Sequence, residues 1–294
     1  MNVPGDRGAV ERRAHAKVNA FLRVLGRRDD GYHDIETLIL PVSLHDLVTV
    51  EPAEDLSLAL TGDAAGVPSD EANLALLAAR ALAAEAGGPV SGRGARITIE
   101  KRIPVAAGLG GGSADAAATL LALDELWGLD ADAETLARVG LSVGSDVPAL
   151  LLAEPAFVAG RGDVVEPVLI QPTSWVLKAI DARVAAADAY AWWDEAPATG
   201  PDAGALVAAA EAGAGDLFGS ALFNDLQPPV AARHPEVAHV AESFLAAGAL
   251  GAVMSGSGPT VAALCSFATA PSIAAEIEGA VVVDAPPSPP LLGG

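Results

Sequence analysis

Residues 104–115 read Pro-Val-Ala-Ala-Gly-Leu-Gly-Gly-Gly-Ser-Ala-Asp, and a run rich in Ala and Leu follows them to about Trp127. A strand-like segment, Ile97–Ile99, precedes them, so the pattern predicts a strand, a loop and then a helix with Ser113 at its N-cap. Helix N-termini attract anions, and glycine lets phosphate oxygens approach the backbone. The glycine loop, Pro104–Ala114, therefore predicts a phosphate site; a flexible Gly/Ser linker is the alternative interpretation.

Several common catalytic and nucleotide-binding motifs are absent from the sequence. No Gly-x-x-x-x-Gly-Lys-Ser/Thr occurs, and Ser113 stands where the third glycine of Gly-x-Gly-x-x-Gly would be. Gly-x-Ser-x-Gly and His-Glu-x-x-His are missing as well, which excludes the common hydrolase and zinc-protease signatures. The predicted phosphate site is therefore neither a classical P-loop nor a Rossmann dinucleotide-binding site.

The charge balance restricts the partners. Among 294 residues, 17 Lys and Arg stand against 38 Asp and Glu, for a net charge of −21. This charge opposes a broad attraction to nucleic acid or anionic lipid, so neither partner is expected. The positive charge that binds a phosphate must therefore come from individual side chains near the phosphate site. The only lysines in the sequence are Lys17, Lys101 and Lys178.

The sequence predicts a cytoplasmic protein. No run reaches the roughly 18 uncharged apolar residues that a membrane helix needs. Met1–Arg13 lacks the apolar region of an export signal. The single cysteine, Cys265, excludes an intrachain disulfide and is expected to be a small buried apolar residue.

The N-terminal region has the alternating pattern of a strand over Arg13–Val24. The polar stretch Gly26–Gly31 predicts a hairpin connection to a second strand at Ile35–Val42. The runs Leu47–Val50 and Leu56–Leu60 are expected to extend this meander.

Lys17 stands out as a candidate for binding a phosphate. Lys17 shares a strand face with His15 and Asn19, so an amine and an amide point the same way about 7 Å apart. A solvated outward face is the usual role of a mid-strand lysine. Asp146 precedes Val147-Pro148, where an aspartate is often only a helix cap.

The rest of the chain alternates strand-like and helix-like segments, which predicts an α+β fold. Helices are expected at Asn73–Ala86, Asp132–Val139, Ala186–Glu195, Ala203–Ala212 and Pro235–Ala247, and strands at Val164–Ile170, Trp175–Ile180, Ala252–Ser255, Thr260–Ser266 and Ala280–Val283. The second glycine turn, Met254–Thr260, predicts either a close approach of backbone to a ligand or a tight turn between two strands.

Together these segments resemble the GHMP kinase family over most of the chain. The glycine loop is similar to the family's ATP loop, and Gly144–Pro148 is similar to the segment that carries its catalytic aspartate. The other segments that carry the resemblance are Ala16–Leu22 with Gly26–His33, which is similar to the signature of one branch of the family, and Phe223–Leu226 and Met254–Gly258.

The resemblance implies a two-domain GHMP kinase fold. Residues 1–165 would form a domain similar to the second domain of ribosomal protein S5, and residues 166–284 a ferredoxin-like domain, with both ligands in the cleft between them. Residues 285–294 are expected to form a Pro-rich tail.

The resemblance also implies ATP-dependent phosphorylation of a small-molecule alcohol, with Mg²⁺ accompanying ATP. Asp146 would accept the proton of the hydroxyl, while Lys17 would hold Asp146 ionised and stabilise charge on the γ-phosphate. ATP would bind to Pro104, Val105, Ala106, Ala107, Gly108, Leu109, Gly110, Gly111, Gly112, Ser113 and Ala114. Ser113 is a possible magnesium ligand, although the sequence does not fix the metal's ligands.

The branch signature implies a cytidine-containing substrate, CDP-methylerythritol, phosphorylated on its 2-hydroxyl in the non-mevalonate (MEP) route to isoprenoids. Asn19 would bind it near the diphosphate, and Tyr32 and His33 would recognise cytosine by stacking and hydrogen bonds. Two alternatives stay open: another GHMP kinase acting on a sugar, mevalonate or homoserine, and a non-catalytic nucleotide-binding relative. The sequence carries no signal for the oligomeric state.

Overall fold

The computed structural model describes residues 8–87 and 94–286. Its strands, in chain order, are β1 (Val10–Arg27), β2 (His33–Ala53), β3 (Ser57–Gly62), β4 (Gly94–Lys101), β5 (Ala156–Gly160), β6 (Val164–Pro167), β7 (Thr173–Lys178), β8 (Phe223–Asn224), β9 (Gly251–Met254), β10 (Val261–Cys265) and β11 (Val281–Ala285). Its helices are α1 (Leu74–Glu85), α2 (Gly111–Trp127), α3 (Ala133–Val143), α4 (Val147–Leu152), α5 (Ala186–Asp194), α6 (Gly204–Ala212), α7 (Gly215–Ser220), α8 (Gln227–Arg233), α9 (Glu236–Ala246) and α10 (Ala270–Glu276).

The chain forms two compact units that no single cut in the sequence separates. Of the described residues, unit 1 contains 8–16, 44–87, 94–105 and 110–153, and unit 2 contains 17–43, 106–109 and 154–286. The division falls inside β1 and β2, since each of these long strands continues from one unit into the other. The predicted domain boundary at residue 165 stays a prediction.

The predicted tail begins at residue 285. Ala285 is the last residue of β11, so the strand includes the first tail residue. Residues 287–294 lie outside the described part of the chain. So do Gly88 and Pro89, which with Gly87 are the predicted stop signal of the helix expected at Asn73–Ala86.

An apolar core in unit 1 is formed by α1–α4 and residues of the strands β1, β2, β3 and β4. Its helices contribute fully buried residues such as Leu82, Leu120 and Leu123, and the strands contribute Val48 and Ile97. Alanine dominates the buried faces of α1 and α2, which lets these two helices pack closely. This core supports the start of α2, where the glycine loop ends.

The predicted meander is wrong. Leu47–Val50 is part of β2, which continues without interruption from His33 to Ala53. β3 is not next to β2; it pairs in parallel with β4, and β4 pairs antiparallel with β2. The reason is that α1 lies between β3 and β4 in the chain and supplies the crossover that a parallel pair requires.

Unit 2 contains a four-stranded antiparallel sheet in the order β11-β7-β10-β9. With helices between β7 and β9 and between β10 and β11, this is the β-α-β-β-α-β arrangement of ferredoxin-like folds. Val176, Val261 and Ala263 of the sheet pack with Phe244 of α9 and Ile273 of α10. The predicted strands and helices of this region are therefore present.

Cys265 ends β10 and is buried, as expected. Burial raises the pKa of its thiol to about 11, which keeps it protonated at neutral pH.

Short elements of unit 2 that have no counterpart in the sequence-based prediction include β5, α7, α8 and β8. The pair Pro228-Pro229 suggests a loop, yet proline is well tolerated in the first turn of a helix, and α8 begins there. β8 has only two residues and pairs in parallel with Phe21 and Leu22 of β1. Among residues 8–87 and 94–286, no helix has the length and apolar character to cross a membrane.

Candidate active site

Lys17 lies inside the protein, at the centre of β1. Its side chain is buried, and the whole stretch Ala16–Leu22 is buried on both faces of the strand, so the outward-facing alternative is wrong. Nζ donates hydrogen bonds to Asn19 Oδ1 and, at 3.0 Å, to the carbonyl oxygen of Gly108. The backbone N–H of Lys17 donates to Leu109 O at 3.0 Å. Residues 106–109 of the glycine loop therefore lie directly against this lysine.

Asn19 is next to Lys17 but uses both ends of its amide within the protein. Oδ1 accepts from Lys17, and Nδ2 donates to Thr37 Oγ1 at 2.8 Å. Thr37 in turn donates to the carbonyl oxygen of Phe21 at 2.5 Å. This arrangement fixes the amide orientation and makes Asn19 a partner that holds Lys17. A contact of Asn19 with substrate stays a prediction.

The second glycine turn packs against the same lysine. Ser255 Oγ donates to Gly108 O at 3.1 Å and accepts from the backbone N–H of Asn19 at 3.2 Å. Gly256 has φ +57°, and a Cβ there would be 2.9 Å from Lys17 Nζ. A Cβ at Gly108 would be 2.3 Å from the carbonyl oxygen of Ser255. The turn connects β9 to β10, so the prediction of a tight turn between two strands is confirmed. A close approach of its backbone to a ligand stays a prediction.

Asn224, in the Phe223–Leu226 segment, holds the second glycine turn in shape. Its Nδ2 donates to Met254 O at 2.6 Å and to Gly256 O at 2.7 Å, and its Oδ1 accepts from the backbone N–H of Leu226 at 2.8 Å. The buried amide thus provides hydrogen-bond donors for two backbone carbonyl groups of the turn. Sequence reasoning found the segment by resemblance but not this role.

The C-terminal half of the glycine loop belongs to unit 1 and begins α2. The helix starts at Gly111, and its N-cap is Gly110 with φ +70°, so the prediction of Ser113 as the N-cap is wrong. Glycine is favoured at the cap because the left-handed conformation excludes most other residues. Gly110 has no side chain that could cap the helix, and the N–H groups of a first helical turn are favourable donors to an anion.

Asp146 lies at the N-cap position of α4, half-buried, in the turn that follows α3. Its side chain makes no capping hydrogen bond, so the helix-cap interpretation is wrong. The same turn lies beside the start of α2, since a Cβ on Gly144 would be 3.6 Å from Ser113 Oγ. Asp146 belongs to unit 1 and Lys17 to unit 2, and their joint action on one phosphate stays a prediction.

His33, at the start of β2, contacts three residues of α5. Its Nε2 lies 2.8 Å from Asp194 Oδ1, its ring stacks on Tyr190 with centroids 4.7 Å apart, and Trp193 meets it edge-on. Tyr190, Trp193 and Asp194 were missed by sequence reasoning. Their positions in α5, three and four residues apart, place them on one helix face, which is the signal that could have revealed them.

Tyr32 precedes His33 in the hairpin and exposes 54% of its surface. The guanidinium group of Arg161 lies over its ring, 5.1 Å from the centroid. An exposed aromatic face beside a cation suits a flat polar ring or an anion. Arg161 is a further residue at this position that sequence reasoning missed.

A metal ion would have few protein ligands here. No group of three or more His, Cys, Asp or Glu side chains that could hold a metal occurs within the described residues. Mg²⁺ commonly takes one or two protein oxygens and completes its shell with water and substrate phosphates. Ser113 Oγ, at the start of α2, fits that limited role.

Comparison with known proteins identifies the family. A model of the GHMP kinases N terminal domain matches residues 73–154, and a model of the GHMP kinases C terminal domain matches residues 206–283. A 4-diphosphocytidyl-2-C-methyl-D-erythritol kinase from Symbiobacterium thermophilum is 46% identical over 255 residues, which cover 86% of this chain and 89% of that protein. One from Kineococcus radiotolerans is 43% identical over 94% of this chain and 87% of that protein. The chain belongs to the GHMP kinase family.

Solved structures agree with this assignment. A crystal structure of 4-(cytidine 5'-diphospho)-2C-methyl-D-erythritol kinase matches with a TM-score of 0.78 at 35% identity, covering 94% of this chain and 99% of that chain. A homoserine kinase from Cytophaga hutchinsonii matches with a TM-score of 0.71 at 19% identity, over 97% and 96% of the two chains, and is similar in fold alone. The predicted α+β GHMP kinase fold is confirmed.

The contact between Gly256 and Lys17 generates a first prediction. A methyl group in Gly256→Ala would displace Lys17 Nζ, so we expect phosphoryl transfer to slow by about tenfold or more. Gly248→Ala is the matched control, because Gly248 also has positive φ, at +94°, and a Cβ there would have no neighbour within 4 Å among the residues that the structure describes. Turnover and thermal midpoint are measured for both. Equal turnover of the two variants would contradict the assigned contact.

Proposed function

We propose that this chain transfers the γ-phosphoryl group of ATP to the 2-hydroxyl of 4-diphosphocytidyl-2-C-methyl-D-erythritol, a step of the MEP route to isoprenoids. The observation that carries the proposal is the buried Lys17, held where β1, the glycine loop and the second glycine turn meet. Relatives named as kinases of this substrate, at 46% and 43% identity, supply the substrate.

In the proposed reaction, the substrate hydroxyl attacks the γ-phosphorus and the bond to ADP breaks. Asp146 orients this hydroxyl and accepts its proton, and Lys17 stabilises the charge on the transferred group. The N–H groups at the start of α2 bind the phosphate oxygens. Alignment of the two reactants is the larger contribution, because phosphoryl transfer asks for little covalent work from the protein.

ATP is proposed to bind with Mg²⁺, which supplies charge neutralisation on the phosphates when bound. Ser113 Oγ is the protein atom proposed to contact the Mg²⁺ ion. The magnesium matters for an acidic protein, because a net charge of −21 opposes the approach of a bare polyphosphate.

Cytosine is proposed to bind at Tyr32 and His33. The exposed Tyr32 ring offers a stacking surface, and His33 is held at one ring nitrogen by Asp194, which leaves the other nitrogen for a base edge. Tyr190 and Asp194 join the proposed subsite as residues that orient His33.

The remaining assignments also stay proposals. We place the protein in the cytoplasm, where ATP is available and a single buried cysteine stays reduced. The ligands are small molecules, and the acidic surface makes nucleic acid an unfavourable partner.

A substrate panel tests the function directly. ADP release is measured with Mg-ATP and, in turn, CDP-methylerythritol, mevalonate, galactose and homoserine. We expect turnover with CDP-methylerythritol alone. Turnover of another member of the panel would replace the substrate assignment, and the absence of turnover with ATP bound would favour a non-catalytic relative.

Asp146→Asn tests the catalytic carboxylate. An amide cannot accept the proton of the hydroxyl, so we expect kcat to fall by about 10²-fold or more while the affinity for ATP changes little. Single-turnover rates and ATP binding are measured together. Unchanged kcat would remove Asp146 from the mechanism, and equal losses in both would assign it to binding.

Tyr32→Ala tests the cytosine subsite. Base stacking on an aromatic ring contributes about 1–3 kcal/mol, so the KM for CDP-methylerythritol should rise by about 5- to 150-fold. The KM for ATP should stay the same. Tyr32→Phe is the control, because it retains the ring and should behave as the unaltered protein. Equal effects on both substrates would argue against a cytosine role.

A further inference from the structure

A buried cluster of three charged residues lies beneath the start of α2. Lys101 is the last residue of β4, Asp46 lies on β2 and Asp115 lies in the second turn of α2, and each exposes no more than 4% of its surface. Lys101 Nζ donates to Asp46 Oδ2 and, at 2.6 Å, to Asp115 Oδ2. The proposed reaction uses none of these residues.

The cluster ties together the two ends of the glycine loop. Asp46 Oδ1 accepts hydrogen bonds from the backbone N–H groups of Arg102 at 2.5 Å and Ile103 at 2.8 Å, immediately before the loop. Asp115 immediately follows the loop and is joined to Asp46 through Lys101. One ammonium group thus links the entry of the loop to its exit.

The same ammonium group lies close to the proposed phosphate site. A Cβ on Gly111 would be 3.5 Å from Lys101 Nζ and 3.1 Å from Ile103 Cγ2. Gly111 is the first residue of α2, where the N–H groups available to phosphate begin. A change in the cluster therefore changes both the position and the electrostatic potential of these N–H groups.

Stability alone does not require an ionic cluster at this place. Buried ion pairs often contribute no more than apolar residues of the same volume, since two charges must be removed from water. The presence of a buried ion pair is better explained where the pair fixes one conformation among several. A loop rich in glycine has many conformations, so a fixed entry and exit have a large effect on its shape.

From this geometry we propose that Asp46, Lys101 and Asp115 are positioning residues, which hold the glycine loop in the form that binds the nucleotide phosphates. The inference rests on the proposed role of the glycine loop as the phosphate site. Its consequence is that changes in the cluster weaken nucleotide binding without touching the nucleotide.

Nucleotide binding by cluster variants tests the proposal. Binding of the non-hydrolysable analogue Mg-AMP-PNP is measured by calorimetry for the unaltered chain, Lys101→Met and Asp46→Asn. We expect the Kd to rise by about tenfold or more in both variants. Glu100→Gln is the matched control: Glu100 lies beside Lys101 in β4 but pairs with Arg102 on the exposed surface, so its Kd should not change.

A purely structural role gives a different result. Thermal unfolding of each variant is followed alongside binding, and the second cluster variant keeps the test informative if one of them does not fold. A lower thermal midpoint with an unchanged Kd would overturn the positioning role. Failure of the unaltered chain to bind Mg-AMP-PNP would instead overturn the proposed function, so the two failures are distinguishable.

Discussion

The close approach of two backbone segments to one lysine is the constraint on which the candidate site depends. The carbonyl group of Gly108 accepts from Lys17 Nζ, and Gly256 passes so near this atom that a methyl group could not be added without displacement. Both glycines have positive φ, which other residues adopt only with strain. Steric contacts within the protein therefore favour glycine at these two positions, independently of any ligand.

This constraint accounts for the polar residues around it. A buried ammonium needs acceptors, and Asn19, Ser255 and Asn224 provide or orient them through hydrogen bonds that are largely buried. Each of these side chains has a second bond to backbone or to Thr37, so the network is supported from several strands. A rigid network of this kind places a cation accurately, which suits phosphoryl transfer.

Local patterns predicted the parts of the structure that depend on neighbouring residues. The alternation in Arg13–Val24 predicts β1, and the glycine loop with its Ala/Leu run predicts α2 ending near Trp127. The N-cap of α2 was predicted incorrectly. Gly110 has a left-handed backbone conformation that a right-handed helix cannot include, so the helix begins directly after Gly110 and not after Ser113. The family and its fold were predicted from the resemblance to GHMP kinases, because residue spacing alone did not determine them.

Contacts between distant residues could not be predicted in this way. His33 and Asp194 are 161 residues apart in the sequence, and Asp46 and Lys101 are 55 residues apart. Neither segment alone carries a sign of its partner, since a single sequence shows the type of a residue but not what will neutralise it. The position of β3 beside β4 belongs to the same class, because strand order follows from packing around α1.

The state of Cys265 has a practical consequence. Its thiol is buried in β10 and stays protonated at neutral pH, so it reacts slowly with maleimides and with peroxide, both of which require an accessible thiolate. A cysteine introduced on the surface would consequently be modified in preference to it. Fluorescent or spin probes can thus be attached at one chosen position of the otherwise unaltered chain, without first removing the native thiol.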